Sequence, residues 1–226
     1  MNLSYADVPR LMTRLTGDEK HSASATSTLD VLWVLYDKVL QVTPETVDDP
    51  LRDRFLLSKG HGPAAYYAVL AAKEFIPREW LDDFGAAGSR LGYHPDRNLI
   101  PGVEIASGSL GHGLPIAVGL AHGLLAQGLR KPRVFVLVGD AELDEGSNNE
   151  AIVYAGAVEL PNLTVIAVDN KSDSHGWGPG GIEAHSRLSG WEAVRVDGRS
   201  HDELASALSA APGQPYLVVA DVERKA

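Results

Sequence analysis

Two unbroken apolar runs constrain this chain more than any other feature. Residues 133–140 read RVFVLVGD and residues 163–170 read LTVIAVDN. Neither run alternates polar with apolar residues, so neither can be a strand with one wet face. Both read as strands buried on both faces, the signature of a parallel sheet covered by helices. The stretches between the runs fit that requirement. Helical spacing is expected over residues 4–15, 26–41, 62–75, 114–128 and about 146–159. Shorter strands are expected at residues 54–58 and in WEAVRVDG and QPYLVVADV, with the helix SHDELASALSAA between these last two. Residues 85–113 are rich in Gly, Pro, His and Ser and read as loop. Alternating strands and helices predict an α/β fold, a parallel sheet with helices on both faces. No internal repeat or low-complexity linker interrupts it, and residues 1–226 are expected to form a single domain.

Composition narrows the function classes. The formal net charge is −10, which argues against general binding to nucleic acid or to anionic membranes. The chain has no cysteine, so disulfides, thiolate nucleophiles and cysteine–metal sites are excluded. The opening residues MNLSYADVPRLMTRL lack the pattern of a signal peptide, and no apolar stretch is long enough to span a bilayer. A cytoplasmic protein is expected.

The chemistry gathers where the two apolar runs end. Asp140 closes the first and Asn170 the second, one strand–helix–strand unit apart. Ligands of open α/β sheets bind at the carboxyl ends of the strands. Two oxygen donors would stand there beside the start of a helix at Glu145, whose first N–H groups suit an anion. A hard cation such as Mg²⁺, bound by few protein oxygens and completed by phosphate oxygens, fits such a place. Strand-terminal Asp and Asn also serve simply as turn formers. The residues alone leave both readings open.

Four ordered stretches carry a resemblance that goes further. GDAELDEGSNNEA followed by LPNLTVIAVDN resembles the thiamine-diphosphate signature, which opens on Gly-Asp-Gly and closes on an Asn after an apolar strand. RDRFLLSKGHG (52–62) and GYHPDRNLIPGVEIASGSLGHGLPIAVGLA (92–121) are similar to segments of the transketolases, over about residues 15–220. The resemblance implies a thiamine-diphosphate-binding fold with thiamine diphosphate and Mg²⁺ as cofactors. It implies metal ligation by Asp140, by the Asn170 side chain and by the Ser172 backbone carbonyl. It places Gly139, Ala141 (through its N–H) and His61 near the diphosphate, and Gly108 and Leu110 along the aminopyrimidine pocket. His21, His61 and His94 are the implied catalytic histidines. Glu145 and Glu150 match acids near a subunit interface.

Departures from the family pattern bear on specificity. Ala141 stands for the second Gly of Gly-Asp-Gly, Lys20 for a Gly before His21, and His112 for a Gln. After Asn170 the chain reads KSDSHGW, where relatives carry mostly apolar residues. Ser174 there replaces a residue that packs against the cofactor rings, and His175 replaces an Asp. His122, His185 and His201 lie outside any motif and read as surface or cap residues. The family's pyrimidine-binding domain is expected on a partner chain, as in split two-component transketolases, rather than within these residues. The expected activity is transfer of a two-carbon ketol unit from a ketose to an aldehyde. A 2-oxoacid-decarboxylating enzyme and a non-catalytic cofactor-binding partner are the alternatives.

Overall fold

The computed structural model describes residues 3–15, 23–60 and 63–224. Among them five strands form one wholly parallel sheet in the order β1-β2-β3-β5-β4. The strands are β1 Arg54–Leu57, β2 Val134–Gly139, β3 Leu163–Asp169, β4 Glu192–Asp197 and β5 Tyr216–Asp221. Every residue of β2 and β3 is buried, as their unbroken apolar character requires. Edge strand β4 instead mixes buried and exposed positions.

The helices are α1 Val8–Met12, α2 Ala23–Thr26, α3 Leu29–Val34, α4 Pro63–Ala72, α5 Gly113–Ala126, α6 Gly146–Ala157, α7 Gly181–Leu188 and α8 His201–Ser209. The strand period of two sorts the core into halves. Phe135 and Leu137 of β2 join α1, α3, α4 and α8 on one face. Val134, Val136 and Val138 join α5, α6 and α7 on the other. The chain runs from β3 through α7 to β4, passing the place of β5, and returns through α8 on the opposite face. Right-handed crossovers in opposite directions require opposite faces. Helix α4, which follows β1, lies on the first face, whereas α6, which follows β2, lies on the second. The chain therefore leaves β1 and β2 toward opposite sides, and a crevice opens between their carboxyl ends.

Three sequence expectations are corrected. Residues 26–41 are not one helix. The Thr28 hydroxyl donates to the Ala25 carbonyl at 3.1 Å, a local competitor to helical bonding that marks the break between α2 and α3. Beyond α3 the chain continues as a π-helical turn, Leu35–Val39, closed by the Leu40 N–H on Leu35 O at 2.8 Å. Residues 4–15 likewise divide into a 3-10 turn, Tyr5–Asp7, and the short α1. Helix α7 was not expected. It follows a glycine-rich stretch and offers a weak apolar stripe, and a side-chain fork anchors it: Arg195 of β4 donates to Glu183 at 2.6 and 3.0 Å.

Close packing of α6 on the turn after α7 makes one glycine indispensable. A Cβ on Gly156 would lie 1.6 Å from the Ser189 carbonyl oxygen and 2.8 Å from its carbon, both backbone atoms that cannot rotate away. Gly156→Ala is expected to destabilise the fold by about 3 kcal/mol, the upper range for overpacking. An unchanged denaturation midpoint would contradict this packing.

Candidate functional site

The crevice is built from three strand ends. Gly139 pairs in register with Val168, so Asp140 and Asn170 leave from neighbouring positions, and the Asp140 N–H donates to Val168 O at 3.1 Å. Both side chains are buried, with Asp140 1% and Asn170 2% exposed. Asp140 Oδ1 accepts from the Ala141 N–H at 2.9 Å and from the Ser172 hydroxyl at 2.7 Å. Oδ2 accepts from the Ser172 N–H at 2.6 Å. A carboxylate oxygen has two acceptor positions, so Oδ1 is filled by hydrogen bonds while Oδ2 keeps capacity for a cation. Asn170 Oδ1 is buried and has no hydrogen-bond partner among the described residues. Burying an amide oxygen without a partner costs free energy, and a cation would offset that cost. A carboxylate and an amide oxygen are hard donors of the kind Mg²⁺ takes. Among the described residues no group of three or more His, Cys, Asp or Glu is placed to hold a metal.

A second set of polar residues lies under the crevice, and sequence motifs alone did not single it out. Glu142 is 1% exposed and accepts from the Gly111 N–H at 3.0 Å, the Gly139 N–H at 3.4 Å and the Ser58 hydroxyl. Burial pushes its carboxyl upward, and these donors together with the charge of Lys59 pull it back. Ser58 Oγ in turn accepts from the Gly113 N–H at 3.0 Å. Asn148 donates from its side chain to Glu142 O at 2.6 Å. This buried network joins the ends of β1 and β2 to the loop that begins α5. Lys59 is also buried. Its stem runs about 3.5 Å from where a Cβ on Gly139 would sit, and its amine donates to Ser27 Oγ at 2.7 Å. A cation is thus placed beneath the crevice of an otherwise acidic chain. The signal was present in SKG and in the acid two places after Asp140, but nothing local shows that these residues meet.

The remaining expected residues divide. Ala141 gives its N–H to Asp140, whose side chain caps the 3-10 turn Ala141–Asp144. Glu145 is the exposed N-cap of α6. The first turn of α6 is met by the 108–113 loop, where Ser147 Oγ donates to Gly111 O at 2.7 Å and Gly111 turns at φ +81° against Glu145. Glu150 is exposed on the same helix. Gly108, at φ +140°, lets the chain lie against the His94 ring, since a Cβ there would come within 3.1 Å of Cγ. His94 Nδ1 is 3.0 Å from Gly60 O. A carbonyl can only accept, so Nδ1 carries the proton and Nε2 holds the lone pair of the neutral ring. Leu110 is 36% exposed at the rim. His21, His61 and Lys20 lie outside the described residues. His112 is the exposed N-cap of α5. In the altered loop His175 is exposed, and Ser174 donates its N–H to Asp144 at 3.0 Å. The motif-free histidines all have local partners: His122 with Tyr154, His185 with Asn149 and His201 with Asp30.

No helix among the described residues is long and apolar enough to cross a membrane. Comparison with known proteins agrees with this architecture. Residues 16–220 match the family model described as transketolase, thiamine diphosphate binding domain. The chain is 55% identical over 223 residues to a Rhodococcoides fascians protein named ferredoxin fas2, covering 98% of this chain and 73% of that protein. Ferredoxin clusters are held by cysteine thiolates, and this chain has no cysteine to offer. It is 35% identical over 213 residues to a protein of Actinobacillus succinogenes named as one of the subunits of an apulose-4-phosphate transketolase, covering 91% of this chain and 77% of that protein. The transketolase of Leishmania mexicana superposes with a TM-score of 0.77 at 27% identity, over 98% of this chain and 37% of its own. The chain thus spans little more than a third of that solved enzyme. With the family model covering nearly its whole length, the chain belongs to the transketolase family and carries that family's thiamine-diphosphate-binding domain.

Proposed function

We propose that this chain is the thiamine-diphosphate- and Mg²⁺-binding subunit of a two-component transketolase. Its reaction is transfer of a two-carbon ketol unit from a ketose to an aldehyde. The observation that carries the metal assignment is the pairing of Asp140, with acceptor capacity on Oδ2, and the unpartnered buried Asn170 Oδ1 at neighbouring strand ends. Asp140 and Asn170 would ligate the cation, with the Ser172 carbonyl as the third protein oxygen. Ser172 also steadies the Asp140 carboxylate through its N–H and hydroxyl. Lys59 supplies positive charge beneath the crevice, where a diphosphate would sit beside Gly139 and Ala141. When bound, thiamine diphosphate supplies the nucleophilic carbon that cleaves a ketose next to its carbonyl.

The protein side chains orient and move protons. His94, with Nε2 as the basic nitrogen, is proposed to take or return a proton on a substrate hydroxyl. His21 and His61 are proposed to share that work, Gly108 and Leu110 to line the ring pocket, and Glu145 and Glu150 to face a partner. The Actinobacillus relative is named as one subunit of its transketolase, which supports a partner chain carrying the pyrimidine-binding domain.

Mixing experiments test the assignment. Alone, with Mg²⁺ and cofactor, the chain is expected to transfer no labelled two-carbon unit from a ketose. Adding the cognate pyrimidine-domain subunit is expected to start the transfer. Robust transfer by this chain alone would refute the two-component reading. Release of carbon dioxide from 2-oxoacids without ketose turnover would replace ketol transfer with a decarboxylating function.

A further inference from the structure

Between the two proposed ligands Asn170 and Ser172 stands Lys171, whose backbone is left-handed at φ +58°. A residue with a Cβ rarely adopts that conformation unless its surroundings hold it. Here the surroundings are an array of charges along the carboxyl edge of the sheet. Asp169 of β3 and Asp221 of β5 are register partners, so two carboxylates stand side by side. The Lys171 amine bridges them, 2.7 Å from Asp169 Oδ2 and 2.7 Å from Asp221 Oδ1, and the Lys171 N–H reaches Asp169 Oδ1 at 3.3 Å. Arg195 of β4 adds a second cation, 2.7 Å from Asp169 and 3.6 Å from Asp221, and is itself held by Glu183 of α7. The left-handed turn at Lys171 reverses the chain so that the next residue, Ser172, reaches back to both oxygens of Asp140.

We infer that Lys171 is a positioning residue for the cation site. By neutralising the Asp169–Asp221 pair it holds the turn that aims Asn170 and Ser172 at the metal, and it links the site to the far edge of the sheet. This inference rests on the function proposed above. The Lys171 amine is engaged by Asp169 and Asp221, so it would act on the cation through its neighbours.

The test is a calorimetric titration of Mg²⁺ at fixed thiamine diphosphate, on the full chain with and without its partner. Lys171→Met is expected to raise the Mg²⁺ concentration for half-saturation roughly tenfold, the scale of losing an outer-shell partner of a metal site. Its melting temperature should fall only slightly, because Arg195 still pairs with the buried Asp169 and the pair with the half-exposed Asp221 is screened. Lys171→Arg, which keeps the charge, is expected to restore the Mg²⁺ dependence. Asp140→Ala is the control. If it leaves Mg²⁺ dependence unchanged, the proposed site itself is wrong. If Asp140→Ala weakens binding and Lys171→Met does not, the inference about Lys171 is overturned while the site stands. Equal losses in the Met and Arg variants would also overturn it, since charge would then not be what positions the turn.

Discussion

Replacing Asp140 by alanine is expected to weaken Mg²⁺-dependent binding of thiamine diphosphate in the assembled enzyme by roughly a hundredfold or more, beyond the range for outer-shell partners. Three effects combine. The carboxylate at the proposed metal position disappears. The Ala141 N–H and both Ser172 donors lose their acceptor. Asn170 Oδ1 keeps the desolvation that a cation would have offset. Asn170→Ala removes a neutral ligand along with that buried orphan oxygen, so its loss should be smaller. Calorimetry with Mg²⁺ present and absent separates the two. Unchanged affinity in Asp140→Ala would mean that the cation sits elsewhere. Asp140→Asn keeps an oxygen and removes the charge, so it reports how much of the effect is electrostatic.

His94→Ala should behave differently. The ring lies against Gly108 and is held through Nδ1 by the Gly60 carbonyl, which leaves Nε2 as the nitrogen proposed to meet the substrate. Cofactor affinity should stay nearly intact. Turnover should fall by about a hundred- to ten-thousand-fold, the range for loss of a positioned proton-transfer group. The assay is transfer of isotope-labelled two-carbon units to an aldehyde by the reconstituted enzyme. Normal transfer by His94→Ala would remove His94 from the reaction. Weakened cofactor binding with normal turnover at saturation would make it a binding residue.

Several parts of this protein are legible in its amino-acid order. β2 and β3 stand out as apolar runs, because the middle of a strand covered on both faces has no position that tolerates an unpaired charge. Helices α4, α5 and α6 are placed within a few residues for a similar reason. Asp140 and Asn170 can be picked out because a polar residue directly after such a run must stand at the sheet edge. Helix α7 is not legible, since a fork between Glu183 and Arg195 stands in for the apolar stripe that pattern reading needs. The breaks around Ser27 and Thr28 are equally hidden. A threonine hydroxyl bonding one turn back leaves no trace in apolar spacing.

The sequence by itself determined the layers, the parallel pairing and the family, because these follow from local periodicity and from short motifs read in order. Tertiary structure alone decided the strand order and, by setting α4 and α6 on opposite faces, the crevice between β1 and β2. The direction of each crossover is a choice among packings that the apolar pattern satisfies equally well. It also decided that Ser58, Lys59 and Glu142 lie together under that crevice, and that Lys171 bridges Asp169 and Asp221. Ser58 and Glu142 are far apart along the chain, as are Lys171 and Asp221, and their meeting depends on strand register. Hydrogen bonds and ion pairs across a sheet edge act over a few ångströms in space, and sequence distance does not report on that separation.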